Sequence, residues 1–287
     1  MEIAGYAVIQ TRIYFYHDCL QAKQAKWACR QSYLQNNTLN IKKMKKYHFL
    51  LFFAAIFVLL ISFSCSQGKE FEEAAPNTLT QQEKEEGFIL LFDGETTTGW
   101  RSYNGDAFPQ GWVVEDGTLR CIAGERGGDI VYEGKFRDFH LKVDWKISEG
   151  GNSGIFFLGR EIPGRPVWHT APEFQILDNE RHPDAERGVD GNRKAAALYD
   201  ILPPVPQNTR PAGEWNTAEI IVYNGTVFHR QNGEDVLEYQ LGTPEWEEMV
   251  ENSKFDVELF GKYIEGVIAL QDHSDDVWFR NIKIREY

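Results

Sequence analysis

The segment from Glu173 to Asp178 (EFQILD) carries the residue types best suited to chemistry on a polar ligand. If residues 173–177 form a strand, alternate side chains share a face, so Glu173 and Gln175 project side by side. A carboxylate beside an amide can hold sugar hydroxyls, although the same pattern fits a strand with a solvated polar face. Flat rings for the C–H face of a sugar favour the first interpretation. The aromatic candidates for that role are Trp168, Tyr199 and Trp215.

A second polar segment, Gln271 to His273 (QDH), follows an apolar run and precedes the acidic turn 274–276. A histidine in this position can act as a general base, bind a metal, or simply make one hydrogen bond in a loop. Arg160 and Arg280 can clamp a hydroxyl or a developing enolate, or pair with one of the many acids. His169 and His182 lie in Pro- or Gly-rich coil and are weaker candidates.

Several enzyme classes find no support in the sequence. It contains no HExxH, CxxC, nucleophile elbow or P-loop, which argues against zinc proteases, thiol redox proteins, serine hydrolases and NTPases. The formal net charge of −13 supplies no basic face for phosphates, so nucleic acid is not expected as a partner.

The N-terminal region has the layout of a lipoprotein signal. Residues 1–43 carry no clean apolar period and are predicted to lie upstream of the true start at Met44. Residues 44–64 then read as a signal peptide, with a basic start, an apolar run at 49–63 and a small residue before Cys65. We expect Cys65 to be lipidated and the protein to be anchored in the cell envelope, at the outer membrane or the periplasmic face. An uncleaved anchor helix or an ordinary signal peptide is the alternative.

The chain after the signal divides into a tether and one domain. Residues 65–86 are polar and acidic and are predicted to form a flexible tether, and the fold is expected to occupy residues 87–287. Residues 1–64 carry eight Lys or Arg and two Asp or Glu, so the chain without them has a net charge of −19. Once Cys65 is acylated, Cys121 has no partner for a disulfide, and core burial must hold the domain together.

Short strand patterns separated by turns predict an all-β fold. Residues 140–147 alternate, with Leu141, Val143, Trp145 and Ile147 on one face. The pairs Asn224-Gly225 and Asn232-Gly233 favour two-residue hairpin turns and predict a meander from about residue 215 to 239. Roughly ten to twelve strands without βαβ alternation indicate a two-sheet antiparallel β-sandwich of the jelly-roll type, with a barrel as the alternative.

One short helix is predicted in this β fold. Residues 244–252 (PEWEEMVEN) have Thr243 as the N-cap and Pro244 at the first helical position.

Taken together, the motifs resemble the 3-keto-disaccharide hydrolase domain family over about residues 87–287. The matching segments are NSGIFF at 152–157, EFQILDN at 173–179, LYD at 198–200, GEWN at 213–216, NG at 232–233, and LQDH followed by VWFRNIKI. The resemblance implies a concanavalin A-like sandwich with a sugar on its concave sheet. It also implies secreted or lipid-anchored enzymes that act on glycosides oxidised at C3.

The resemblance further implies a reaction. A ketone at C3 acidifies the C2 proton, so a base can remove it, the C1 substituent can leave by β-elimination, and water can add back. Glu173 or His273 is expected to be the base, while the other positions the substrate or binds a divalent metal ion that stabilises the enolate. No organic cofactor is expected. The residues expected to bind the carbohydrate are Arg160, Gln175, Asp178, Tyr199, Trp215 and Gln271.

Alternatives remain at this point. Glu173 and Asp178 could form the acid and nucleophile of an ordinary glycosidase on unoxidised glycan, but five residues apart on a strand they would face opposite ways, roughly 16 Å apart, unless the chain turns at Leu177. A non-catalytic carbohydrate-binding lipoprotein is the other alternative. Residues 194–197 (KAAA) and Ser274 stand where the family pattern predicts glycine, so the loops near the site are expected to differ in shape.

Overall fold

Thirteen β-strands form two antiparallel sheets in the computed structural model, which describes residues 74–287. In chain order the strands are β1 Ile89–Leu90, β2 Trp100–Ser102, β3 Trp112–Glu115, β4 Thr118–Cys121, β5 Ile130–Tyr132, β6 Phe139–Ile147, β7 Asn152–Gly159, β8 Glu173–Leu177, β9 Asn216–Tyr223, β10 Thr226–Gln231, β11 Glu234–Gln240, β12 Val267–Leu270 and β13 Val277–Glu286. The helices are α1 Gln81–Glu85 and α2 Pro244–Glu251, with 3₁₀ turns at Val167–His169 and Pro183–Glu186.

The larger sheet has the order β11-β10-β9-β6-β13-β4-β3, with β1 also paired to β13. The smaller sheet has the order β2-β5-β12-β7-β8. All of these pairs are antiparallel, which confirms the predicted two-sheet sandwich.

The core lies between the two sheets. Leu141, Val143, Trp145 and Ile147 alternate along β6 and are each at most 1% exposed, as their period predicts. The smaller sheet contributes its own inward rows, which include Ile155, Phe157, Phe174, Ile176, Ile268 and Leu270. Burying an aliphatic or aromatic side chain of this size contributes about 1.5–3 kcal/mol, so these rows supply the main stabilisation of the fold.

The predicted meander is present as β9, β10 and β11. Both of its turns have positive φ at each central residue, +50° and +79° at Asn224-Gly225 and +51° and +84° at Asn232-Gly233. These angles are those of the two-residue turn whose twist matches antiparallel strands, which explains why the Asn-Gly pairs predict the hairpins correctly.

The sequence predicted a flexible tether before Gly87, but part of this segment is ordered. Residues 81–85 form α1, closed by a capping box between Thr80 and Glu83. The Glu83 carboxylate lies 2.7 Å from the Lys283 ammonium on β13. The backbone N–H of Asn77 donates to the side chain of Asn281, which reciprocates through its own backbone N–H. Polar side chains in this segment therefore hold it against β13 rather than in solvent.

The predicted helix α2 is present, and its packing fixes the loop that follows it. Thr243 caps it by accepting a hydrogen bond from the Trp246 backbone N–H at 3.2 Å. Trp246 stacks between Tyr239 and Phe260, with ring centroids 5.7 and 5.9 Å away, and Phe260 stacks on Phe255 at 4.0 Å. This aromatic column fixes the loop that follows α2.

The predicted signal peptide and the lipidation site Cys65 lie outside the described residues. Within residues 74–287, no helix combines the length and apolarity that crossing a membrane requires. Cys121 is buried and carries a free thiol.

Candidate active site

A pocket of about 280 Å³ opens on the outer face of the smaller sheet. Its lining combines amides, two chargeable groups of opposite sign, aromatic rings and a histidine. The lining residues are Asn152, Trp168, Glu173, Gln175, Tyr199, Lys254, Phe255, Gln271 and His273. Five of them are among the predicted site residues, namely Glu173, Gln175, Tyr199, Gln271 and His273, and Trp168 is a predicted aromatic candidate.

Glu173 and Gln175 reach this pocket because β8 alternates as expected. Phe174 and Ile176 point into the core, so the two polar side chains point to the opposite face. The carboxylate of Glu173 then extends over the neighbouring strand β7, above Gly154. A Cβ on residue 154 would lie 2.8 Å from the Cδ of Glu173, a distance that real Cβ atoms do not adopt. Only glycine at position 154 leaves room for this carboxylate.

Glu173 is only 4% exposed, and burial raises the pKa of its carboxyl group well above the usual value. The positive charge of Lys254 opposes this effect, whereas the negative charges of Asp129 and Asp184 add to it. Burial disfavours the ionised form of a carboxyl group that has no strong ion pair. Glu173 is therefore a more basic carboxylate than one in water, as is expected of a group that takes up a proton.

Amide side chains form the floor beside Glu173. The Gln175 side-chain amide donates to the Oδ1 of Asn152 at 3.0 Å. The Oε1 of Gln175 is buried and has no hydrogen-bond partner among the described residues. A buried acceptor without a donor costs about 1–3 kcal/mol, and a ligand hydroxyl in the pocket could remove that cost. The floor is thus prepared to accept a hydrogen bond from a polyhydroxy ligand.

Gln271 follows β12 and joins the same floor. Its backbone N–H donates to the carbonyl of Gly154 at 3.0 Å, and its carbonyl accepts from the Ser153 hydroxyl at 2.8 Å. These two bonds fix the position of Gln271 next to β7, with its side chain lining the pocket.

The wall opposite the sheet includes the ring of Tyr199, which charged side chains hold in position. The Tyr199 hydroxyl donates to Oδ2 of Asp184 at 2.8 Å, and burial with this acidic neighbour raises the pKa of the phenol. Arg193 lies 3.6 Å from Asp184 and also pairs with Asp200. The Lys254 ammonium sits 4.3 Å from the Tyr199 ring centroid, in the range of a cation–π contact. Trp168, which is 41% exposed, presents a further ring to solvent.

His273 lies at the rim rather than on the floor. Its side chain is 50% exposed, and its Nδ1 is 3.9 Å from Oδ2 of Asp275. Its ring centroid is 6.2 Å from that of His182. Burial lowers the pKa of His182, and the nearby His273 contributes to this shift. The position suits a residue that contacts the outer part of a bound sugar.

Three of the predicted substrate-binding residues do not line this pocket. Arg160 is exposed, with its guanidinium 5.0 Å from the ring of Tyr263. Trp215 immediately precedes β9 of the larger sheet, where Arg280 covers its ring at 4.0 Å. Strand alternation shows which face of a sheet a side chain takes, but not which of the two sheets the strand joins. For this reason Trp215 was expected at the sugar site, although it lies beside the larger sheet.

Asp178 has a structural role in the turn between strands. It accepts from the backbone N–H of Gly150 at 2.7 Å and from that of Glu180 at 3.0 Å. These bonds occupy its carboxylate at the end of β8. Asp178 does not line this pocket, so its expected contact with substrate gains no support here.

Asn152, Lys254 and Phe255 line the pocket although sequence reasoning did not single them out. Asn152 is the first residue of the NSGIFF segment, which was noted as a motif without a role for this side chain. Lys254 and Phe255 follow α2 and reach the pocket only because the aromatic column beneath α2 folds this loop back. No local signal in the sequence indicates that contact.

Within residues 74–287, no three His, Cys, Asp or Glu side chains come together in a group that could share a metal ion. The predicted divalent metal therefore gains no ligand set here and stays a prediction for the chelator experiment below.

Two loops near the pocket contain the residues that stand where glycine was expected. Ala196 has a φ of +71° and Ser274 a φ of +69°. Both angles lie in the left-handed region, which glycine adopts without steric cost. Both residues therefore adopt a backbone conformation that glycine favours, and the expected difference in loop shape stays a prediction.

The chain resembles known proteins along most of its length. A family model described as a 3-keto-alpha-glucoside-1,2-lyase-like domain matches residues 87–285. A 3-keto-disaccharide hydrolase of Bacteroides thetaiotaomicron is 43% identical over 247 residues, which cover 77% of this chain and 85% of that protein.

Solved structures agree with this match. A candidate glycosyl hydrolase from Parabacteroides distasonis aligns with a TM-score of 0.68 at 32% identity, covering 74% of this chain and 100% of that one. A second from the same organism aligns with a TM-score of 0.52 at 28% identity, covering 78% and 97%.

Proposed function

Since the chain belongs to the family of 3-keto-α-glucoside-1,2-lyase-like domains, which confirms the resemblance in its motifs, we propose that it cleaves 3-keto-glycosides by removing the proton at C2. The relatives support the coarser statement that it is a carbohydrate-active enzyme of the hydrolase or lyase type. The observation that supports cleavage of 3-keto-glycosides in particular is the buried carboxyl group of Glu173, whose pKa is raised and which lies beside the unpaired Oε1 of Gln175.

The chemistry needs a base of this kind. The C3 ketone acidifies the C2 proton, and a base that removes it produces an enolate that can expel the substituent at C1. The efficiency of a general base rises with its pKa as long as the base form is populated. Burial raises the pKa of Glu173, whereas the positive charge of Lys254 lowers it. The balance of these two effects sets the pKa of the base. We assign Glu173 as the base and His273 as a substrate-positioning residue.

The developing negative charge at O3 needs donors that are in place before reaction. Lys254 supplies a positive charge at the pocket wall, and the side-chain amides of Asn152 and Gln271 supply neutral donors at the floor. Fixed donors stabilise an oxyanion more effectively than water that must reorient. Trp168 and Tyr199 would stack against the sugar.

An ordinary glycosidase with Glu173 and Asp178 as its pair receives less support. Asp178 is held by two backbone N–H groups in a turn and does not line the pocket. Two-carboxylate hydrolysis requires both groups to flank the anomeric carbon.

The test compares a 3-keto-glucoside with its unoxidised parent, using the wild-type domain with and without a chelator. We expect cleavage of the keto compound alone, and its loss in Glu173→Gln. The matched control Glu247→Gln changes an exposed carboxylate that pairs with Lys262 and does not line the pocket, so this variant should keep full activity. Cleavage of the parent would contradict the proposal, and chelator sensitivity would assign a metal to the reaction. Tight binding of sugars without any product would favour the carbohydrate-binding alternative.

We also propose that Cys65 anchors the protein to the cell envelope through a lipid, its sole link to the membrane. Incorporation of labelled palmitate into the wild type, and its loss in Cys65→Ala, is the expected result. Unlabelled wild-type protein released in soluble form would contradict the anchor.

A further inference from the structure

Four outward-facing positions form a row across the smaller sheet at the pocket. Gln175 on β8 lies opposite Gly154 on β7, and the Gln271 backbone N–H bonds to the Gly154 carbonyl. Leu270 lies opposite Ile130 on β5, and both are core residues. Their neighbours Gln271 and Asp129 therefore project to the outer face, so Asp129 extends the row by one strand beyond the pocket floor.

Glu173 on β8 and Asp129 beside β5 lie toward opposite ends of this row. The Glu173 carboxylate lies above Gly154, two strand spacings of about 4.8 Å from the backbone of Asp129. Carboxyl groups that act on the two sides of a glycosidic bond are roughly 5–9.5 Å apart in sugar-cleaving enzymes. Asp129 lies one strand beyond the residues that line the pocket, at the side where the substituent at C1 of a sugar held over Glu173 would project.

The carboxyl group of Asp129 is held by one oxygen. Its Oδ1 accepts from the backbone N–H of Asp272 at 3.0 Å, and Oδ2 has no hydrogen-bond partner among residues 74–287. Asp272 is itself fixed, because its carboxylate accepts from the backbone N–H groups of Gly128 and Ser274, each at 2.8 Å. This loop orients Asp129 while leaving one of its oxygens available.

The electrostatic environment keeps a proton on Asp129 closer to neutral pH than usual. Burial, assisted by the negative charge of Asp272, raises the pKa of Asp129 to about 6. The charge of Asp129 in turn contributes to the raised pKa of Glu173.

We propose that Asp129 is the general acid that protonates the oxygen leaving C1, an inference that rests on the proposed function. The C2–H bond breaks and its proton passes to Glu173, which leaves an enolate. The enolate electrons form the C1–C2 double bond, the C1–O bond breaks, and the departing oxygen takes the proton of Asp129. Water then adds across the double bond: its hydroxyl joins C1, its other proton returns to Asp129, and Glu173 returns its proton to C2.

The test compares Asp129→Asn with the wild type on two 3-keto-glucosides, one with an alkyl and one with a nitrophenyl leaving group. An alkoxide needs a proton in order to leave, whereas a nitrophenolate does not. We expect kcat/KM to fall about 10²–10⁴-fold for the alkyl substrate and only slightly for the nitrophenyl substrate. Asp106→Asn, at an exposed position, is the matched control and should leave both rates unchanged.

A second readout separates this inference from the proposed function. In D₂O, Asp129→Asn should still exchange the C2 proton of the alkyl substrate, since Glu173 is intact, whereas Glu173→Gln should not. Equal losses on both leaving groups, or no loss on either, would overturn the role of Asp129 while wild-type cleavage of the keto substrates keeps the proposed function. A wild type that neither exchanges C2 nor cleaves either keto substrate would overturn both.

Discussion

Gly154 and Glu173 are complementary across β7 and β8: the carboxylate occupies the space that a side chain at position 154 would fill. A methyl group there would contact Cδ and Cγ of Glu173 at 2.8 and 2.9 Å. We therefore expect Gly154→Ala to displace the carboxylate and to reduce cleavage of a 3-keto-glucoside by about 100-fold or more, since a misplacement near 1 Å can have that effect.

The control for this variant is Gly159→Ala on the same strand. Its new Cβ would approach Ala171 at 3.2 Å and no carboxylate. Unfolding should be measured for both variants. If Gly154→Ala lost activity only in proportion to its loss of stability, or lost none, the positioning of Glu173 by Gly154 would be refuted.

Glu173 should reduce the stability of the fold at neutral and alkaline pH. Its pKa in the folded protein lies above the unfolded value of about 4.5, so the folded state holds the proton more tightly. Stability is then lost as pH rises from about 4.5 through the folded pKa. Glu173→Gln removes this loss, so its melting temperature should exceed that of the wild type at pH 8 and match it near pH 4.

Thermal unfolding of both proteins at the two pH values measures the effect. Glu247→Gln, at an exposed position, should show no comparable pH-dependent gain. The same difference in melting temperature at pH 4 and pH 8 would show that burial of the Glu173 charge is not its cause.

Lys254 should set the pH at which the base becomes active. Its positive charge lowers the pKa of Glu173 against the effect of burial. Lys254→Met should therefore raise that pKa further and move the rising limb of the kcat/KM profile to higher pH. Lys262→Met is the control, since Lys262 pairs with Glu247 outside the pocket. An unmoved or downward-shifted limb would contradict the coupling.

Much of the fold was predictable because its signals are local. The alternation along β6 and the Asn-Gly turns of the meander are read from neighbouring residues and were correct. The strand 173–177, with Glu173 and Gln175 on one face, was equally accessible. The site was less so: Lys254 approaches Glu173 from a loop eighty residues away, and its approach depends on the packing of Trp246 and Phe260.

The same limit explains the misplaced residues. Trp215 and Asp178 each lie in a segment rich in polar or aromatic residues. That local pattern cannot show that Trp215 lies beside the larger sheet or that Asp178 closes a turn. The residues before Gly87 are polar and were therefore predicted to be solvated. Their carboxylates and amides instead bond to β13, a strand so distant in sequence that no local pattern indicates the contact.

Ser274 offers a test of loop strain. It has a φ of +69° and an exposed side chain, so glycine would relieve steric strain without loss of burial. A non-glycine residue in this region costs about 1–2 kcal/mol, and glycine loses about 0.5–1 kcal/mol more through chain entropy. Ser274→Gly should therefore stabilise the protein by about 0.5–1 kcal/mol in denaturant unfolding.

Ser148→Gly is the matched substitution at a loop position without positive φ, and it should destabilise by about 0.5–1 kcal/mol. Equal destabilisation by both variants would show that the backbone at 274 carries no such strain.

The fate of deuterium at C2 decides whether Glu173 removes the C2 proton. A 3-keto-glucoside deuterated at C2 should be cleaved more slowly than its protonated form, with a primary isotope effect on kcat/KM under conditions where chemistry limits the rate. Glu173→Gln should abolish both this cleavage and the release of label to solvent. Cleavage with no isotope effect and with deuterium fully retained at C2 would contradict the claim, because the C1 bond would then break without passing through the enolate.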